Sequence, residues 1–188
     1  MLNKRFLLSN INLRAIKKDD LYMVLKWRNS ENIRKFMLSD RIITFKEHVQ
    51  WFNRTNNDTA YENLIAEYNG SPIGFLSIAD IDHVNRTCTW GMYVGDNHHN
   101  LGVGVLLEIC AIDRMFNFHK IRKIWGQVFL SNRIRFLHYK LGFTDEGILK
   151  KYIYRNGDYE DLVLVSLFSD KWNRERGKII QSLGVMQE

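Results

Sequence analysis

Three stretches of the chain combine residue types that could do chemistry. The first runs Trp90-Gly91-Met92-Tyr93-Val94 and then His99-Asn100-Leu101-Gly102-Val103-Gly104, directly ahead of an apolar segment from about Val103 to Phe116. Glycines at 102 and 104 let a loop backbone approach an oxygen-rich ligand, and the helix that follows offers free N–H groups and a positive dipole end. That is a seat for a pyrophosphate. It is neither a dinucleotide fingerprint, because the third glycine is missing, nor a P-loop, because no Gly-Lys-Ser/Thr follows. An ordinary loop before a helix fits the pattern as well. The second stretch is Ser131-Asn132, then Leu137-His138-Tyr139, closed by Leu141-Gly142-Phe143. A helix turns about 100° per residue, so only one of the neighbours His138 and Tyr139 can present a proton to a given centre.

The third group is Arg28, His48 and Trp51: a guanidinium fork, an imidazole and an aromatic face. These types suit a diphosphate joined to a flat base. Arg28 reads equally as a solvated cation at a helix end, and His48 and Trp51 as helix packing. The adjacent pair His98-His99 has no third ligand near it, so no metal is expected.

These residues need elements to hold them. Ile11 to Ile16 alternates as a strand does, and Asp19 or Asp20 caps a helix with Leu21, Val24 and Leu25 on one face. A short helix follows over Glu31 to Met37. Thr44-Phe45-Lys46-Glu47 is a capping box for another, with Phe45, Val49 and Phe52 as its buried stripe. Leu64 to Tyr68 and Ile73 to Ile81 flank Asn69-Gly70, a hairpin turn, and Thr87 to Val94 is a third strand. After the apolar helix come a strand at Lys123 to Leu130, a helix at Arg133 to Leu141, and a hairpin of Tyr152 to Tyr154 with Leu162 to Phe168 around Asn156-Gly157. This order is mixed α/β.

With 188 residues, 45% hydrophobic and 26% charged, the chain reads as a single domain, 1–188, with a polar tail from about 170. One proline excludes collagen-like or Pro-rich structure. The apolar run near the N-terminus is too short for a signal peptide and no 18-residue apolar stretch occurs, so neither secretion nor membrane insertion is expected. Cys88 and Cys110 have no metal-ligand spacing, and a reducing, cytoplasmic setting fits them. The net charge of +6 suggests an anionic ligand.

In the order of these elements and in the motifs at 99–104 and 131–143, nearly the whole chain resembles the Gcn5-related N-acetyltransferase (GNAT) superfamily. The resemblance implies an α/β fold with a single mixed central sheet, flanked by helices and splayed around acetyl-CoA. It implies that Tyr93 and Val94 pair with the pantetheine arm and offer N–H groups to the oxyanion. His99, Leu101, Gly102, Val103 and Gly104 would hold the pyrophosphate, with Asn132 beside them. His99 departs from the family's usual Gln or Arg at the loop's start. His138 is the favoured proton donor to the thiolate, Tyr139 the alternative. Where some relatives carry a glutamate, Gln127 stands here and takes no proton, which leaves His48, Asp80 or a water as base.

Within the superfamily, Trp27-Arg28-Asn29-Ser30, Lys46 to Phe52, Asp80-Ile81-Asp82 and Leu149 to Tyr159 resemble the sub-family of pseudaminic acid and flagellin-glycan synthesis. It acetylates the 4-amino group of a UDP-linked 4-amino-4,6-dideoxy sugar. That implies Arg28, His48 and Trp51 at the nucleotide, Asp80 and Tyr93 at the sugar, and a nucleotide-sugar partner with neither nucleic acid nor membrane. A homodimer is compatible with it. The competing readings are N-acetylation of a ribosomal-protein N-terminus or a polyamine, and a non-catalytic nucleic-acid-binding module. A polyamine needs an acidic pocket, whereas Arg34, Lys35, Arg41 and Lys46 crowd this half. A nucleic-acid module needs a basic stripe interleaved with aromatics, which is absent.

Overall fold

The computed structural model describes residues 6–95, 102–155 and 157–186. Its strands are β1 (Phe6–Leu7), β2 (Ile11–Ala15), β3 (Glu62–Tyr68), β4 (Ser71–Asp82), β5 (Thr87–Val94), β6 (Lys123–Phe129), β7 (Thr144–Arg155), β8 (Asp158–Phe168) and β9 (Val185–Met186). The helices are α1 (Leu21–Asn29), α2 (Glu31–Arg34), α3 (Phe45–Thr55), α4 (Val103–Asp113), α5 (Arg135–Lys140) and α6 (Ser169–Ser182). Seven strands form one sheet in the order β2-β3-β4-β5-β6-β8-β7. Every neighbouring pair is antiparallel except β5 with β6.

Alternation along the strands divides the interior into two layers. Leu64 and Leu76 face one side, where α4 brings Leu106, Ile109 and Ile112 and α6 brings Trp172 and Ile180. Their neighbours Ile65 and Phe75 face the other, against Leu21, Val24 and Trp27 of α1 and Phe52 of α3. Asn69 and Gly70 both take positive φ, as the tight turn between β3 and β4 requires.

Four expectations change. The stripe of α3 is His48, Phe52 and Thr55, while Phe45 in its first turn is exposed, because the helix reaches the core only one turn later. The capping box itself forms, with Glu47 N–H donating to Thr44 Oγ1. Asp20 caps no first turn of α1; its carboxylate accepts from the Lys17 N–H and from both Nη1 and Nη2 of Arg14. β7 begins eight residues earlier than Tyr152, its polar Thr144-Asp145-Glu146 fitting an edge strand exposed to solvent. The polar segment from 170 is α6. Its outer face is charged, but Trp172 is fully buried and donates from Nε1 to Asp113. Among the described residues no helix is long and apolar enough to cross a membrane.

Candidate active site

The parallel strands β5 and β6 pair only at Thr87 with Lys123 and Cys88 with Ile124. Beyond that they part, and the facing backbone edge of β5 from Thr89 to Val94 is left without a neighbour strand. Trp90 explains the wedge. A Cβ on Gly126 of β6 would come within 2.9 Å of the Trp90 ring, so the indole occupies the space a side chain there would need. Phe143 stacks on the other side of that ring at 5.0 Å between centroids.

The wedge opens into a cavity of about 1230 Å³, walled by β5, by Trp125 to Phe129 of β6, and by α1, α2 and α3. The cavity gathers most of the expected residues: Arg28, His48, Trp51, Asp80, Tyr93, Val94, Asn132 and His138 all line it. Tyr139 does not. Its hydroxyl donates to Asp145 at 2.9 Å and accepts from Arg135 at 2.6 Å, and its ring is 37% exposed, whereas His138 is 5% exposed. One residue of helical rotation separates them, and Phe143 and Trp90 clasp the histidine, not the tyrosine. His99 and Leu101 lie outside the described residues.

Arg28 reaches the cavity from the end of α1. Its Nη2 donates to the Ser39 carbonyl at 2.7 Å, and its buried Nη1 has no partner among the described residues. Burial presses against its charge, Tyr93 relieves this slightly, and Arg41 and Arg34 add to it. A guanidinium stays ionised regardless, so this is a cation short of an anion. His48 and Trp51 stack at 5.0 Å and 16°. Burial lowers the His48 pKa against a bond to the Leu21 backbone, and its Nε2 is unpartnered, so the ring is a neutral polar edge on the cavity wall. Asp80 lines the cavity from a bulge of β4 at φ 51°, and Thr89 Oγ1 donates to its carboxylate at 3.2 Å. Tyr93 is held by its hydroxyl on the Val24 carbonyl at 3.4 Å, and burial raises its pKa far above the ordinary value.

At the other end of β5, Gly102 precedes α4 and supplies no side-chain cap. An α-helix leaves its first N–H groups, in α4 those of Val103, Gly104 and Val105, without intrahelical partners. Among the described residues, a Cβ on Gly104 would meet only Val94 Cγ2, at an ordinary 3.7 Å.

Residues 21–143 match the model of the acetyltransferase (GNAT) family. The chain belongs to that family. It is an acetyl-CoA-dependent N-acetyltransferase. The spermidine N(1)-acetyltransferase of Vibrio cholerae is 24% identical over 166 residues, which is 87% of this chain and 96% of that one. The acetyltransferase PseH of Campylobacter jejuni is 25% identical over 122 residues, 65% of this chain and 74% of that one. The crystal structure of spermidine N-acetyltransferase from Vibrio cholerae with CoA and spermine superposes with a TM-score of 0.82 at 23% identity, covering 88% of this chain and 99% of that one. At that identity the superposition speaks for the fold. Likeness to the spermidine enzymes therefore spans more of the chain than likeness to PseH, on which the narrower sequence reading leaned.

The residues present fit the cosubstrate. The first turn of α4 offers N–H groups for a pyrophosphate, and the open edge of β5 offers backbone groups for an extended amide-bearing arm. Three side chains in or near the site do not stand out in the sequence. Trp90 belongs to a motif there, yet in the structure it sets the wedge. Glu108 is a fully buried carboxyl on α4 that accepts from Trp90 Nε1 at 2.9 Å; its signal is a lone acid inside an otherwise apolar helical run. Arg155 of β7 reaches the Met37 carbonyl and approaches Asp40, tying the α2 rim to the hairpin. No local pattern marks it.

Proposed function

We propose that this N-acetyltransferase acts on the primary amine of a sugar carried on a nucleoside diphosphate, of the type UDP-4-amino-4,6-dideoxy-N-acetyl-β-L-altrosamine. The observation that carries this reading is Arg28, a cation on the lining of the acceptor cavity whose buried Nη1 has no partner among the described residues. Arg28, Arg41 and Arg54 line the cavity with the carboxyls of Glu47, Asp80 and Glu108; Glu47 is already spent on Arg41 and the Thr44 cap, and Glu108 on Trp90. A diphosphate satisfies the free guanidinium with charge-assisted hydrogen bonds. The His48–Trp51 stack offers a flat face for a base, and Asp80, bonded to Thr89 of β5 on the cavity lining, supplies a carboxylate to orient the amine.

In this reading Arg28 binds and aligns the acceptor. The N–H groups of β5 stabilise charge on the carbonyl oxygen, and His138 delivers a proton to sulfur. The similarity to spermidine acetyltransferases supports a second reading, a polyamine acceptor. Against it, the buried cation of the lining that lacks a partner for Nη1 among the described residues is Arg28, whereas Glu47 is paired with Arg41 and Glu108 accepts from Trp90. Initial rates with acetyl-CoA and a panel of UDP-linked 4-amino sugar, spermidine, spermine and an N-terminal peptide decide between them. The nucleotide sugar should be turned over at least tenfold more efficiently than any of the others. Preference for spermidine would replace the first reading with the second.

A further inference from the structure

We propose that Glu108 and His138 form a proton-sharing pair beneath the acetyl-transfer site, with Trp90 as the clamp that holds the carboxyl in register. The inference rests on acetyl transfer itself and not on the identity of the acceptor.

Glu108 Oε1 accepts from Trp90 Nε1 at 2.9 Å and stands 3.8 Å from His138 Nε2. Glu108 is 1% exposed and His138 5%. His138 Nδ1 is buried with no partner among the described residues. The imidazole thus has one nitrogen toward the carboxyl and a second free. Its ring is fixed from two sides, by Trp90 at 5.7 Å and Phe143 at 5.2 Å. A carboxyl so deep in an apolar helix is costly unless its proton is used, because a glutamine would satisfy the Trp90 N–H as well.

Protonation agrees with that use. Burial pushes Glu108 up to about 7, with the Trp90 bond pulling the other way, and burial pushes His138 down to about 4. Near neutrality the imidazole is therefore uncharged and cannot act alone as a strong acid, while burial favours the protonated carboxyl. From α5, His138 is the titratable group facing Glu108; from β5 comes the uncharged Trp90, and from β6 the cavity receives the uncharged Gln127. Among the described residues no lysine, arginine or second carboxylate is bonded to either member.

Acetyl transfer forms one C–N bond, breaks one C–S bond, leaves the electron pair on sulfur and frees one proton from the amine. His138 gives its Nδ1 proton to sulfur as Nε2 takes the carboxylic proton of Glu108. The proton lost by the amine passes to solvent, and a solvent proton is taken up at Nδ1 of His138 as Nε2 returns its own to Glu108, so the cycle closes without another reactant.

The first test needs no catalysis. With histidine side chains labelled in ¹⁵N, the His138 resonances of the wild-type protein should show an inflection near pH 7 that reports Glu108, and Glu108→Gln should abolish it. The second uses whichever amine the enzyme turns over. Glu108→Gln should lower kcat by roughly 10²-fold or more, leave KM for acetyl-CoA within about twofold, and remove the matching inflection from the pH profile of kcat. Trp90→Phe, which removes the donor, should move that inflection upward. A His138 titration with no inflection near 7, or a folded Glu108→Gln enzyme with wild-type kcat and pH profile, would reduce Glu108 to a hydrogen-bond partner of Trp90 and overturn the pairing. Neither result would bear on which acceptor the cavity takes.

Discussion

Replacing Arg28 by alanine separates ligand recognition from folding. In the ligand-free protein the guanidinium makes one hydrogen bond, from Nη2 to the exposed Ser39 carbonyl, a net contribution of about 0.5–1.5 kcal/mol. Removing a half-buried charge short of a partner offsets part of that. Folded stability should therefore change by less than about 1 kcal/mol, a shift of no more than about 4 °C in Tm for a chain of this size. Binding of a diphosphate is a different matter, since Arg28 lines the cavity and its Nη1 has no partner among the described residues. Hydrogen bonds to charged groups contribute about 1.5–3 kcal/mol, which converts to roughly 10- to 150-fold. A diphosphate is equally bound in ground and transition states, so the loss should fall on KM for the nucleotide sugar and spare kcat and the KM for acetyl-CoA. The assay is release of the CoA thiol, followed at several salt concentrations, with melting curves run in parallel. A folded Arg28→Ala enzyme with an unaltered KM for the nucleotide sugar would refute the clamp.

Gly104→Val should leave the fold intact, because among the described residues its Cβ meets nothing closer than 3.7 Å, yet abolish the rise in Tm that CoA gives the wild-type protein; retained CoA affinity would remove the first turn of α4 from the cosubstrate site. Gly126→Ala drives a Cβ to 2.9 Å from the Trp90 ring and should cost about 1–3 kcal/mol in thermal or urea unfolding, with kcat falling as Trp90 shifts off Glu108. Burial alone would raise the Glu62 carboxyl, but hydrogen bonds from Arg114 and His119 outweigh it and hold the group down at about 2. Its contribution to stability is thus complete above the unfolded value near 4.3 and is lost as pH falls toward 2. Glu62→Gln should flatten acid unfolding in that window, and an unchanged acid limb would discount the pair.

Much of this arrangement is legible in the sequence because it rests on local rules. Asn69-Gly70 permits only a tight turn between two alternating runs, and Thr44 with Glu47 fixes where α3 starts. The glycines before an apolar helix also announce themselves, though not what they bind. The illegible features depend on rotation and on partners distant in the chain. His138 and Tyr139 are adjacent, so composition cannot say which faces inward; the aromatic clasp of Trp90 and Phe143 decides it. Phe45 looks like core until the helix is seen to meet the sheet one turn later. Glu108 reads as one acid in a helix face, and only the approach of β5 and α5 makes it a buried group beside an imidazole. The edge strand β7 hides because solvent, not packing, selects its residues.

Direct binding of uridine diphosphate to the CoA-saturated protein, measured by titration calorimetry, tests the acceptor assignment without turnover. Arg28 should give a single site whose affinity falls with added salt and by roughly tenfold or more in Arg28→Ala. Spermidine should give no comparable heat. Saturable spermidine binding, with no detectable uridine diphosphate binding at either salt, would contradict the anionic-acceptor reading and leave a polyamine N-acetyltransferase in its place.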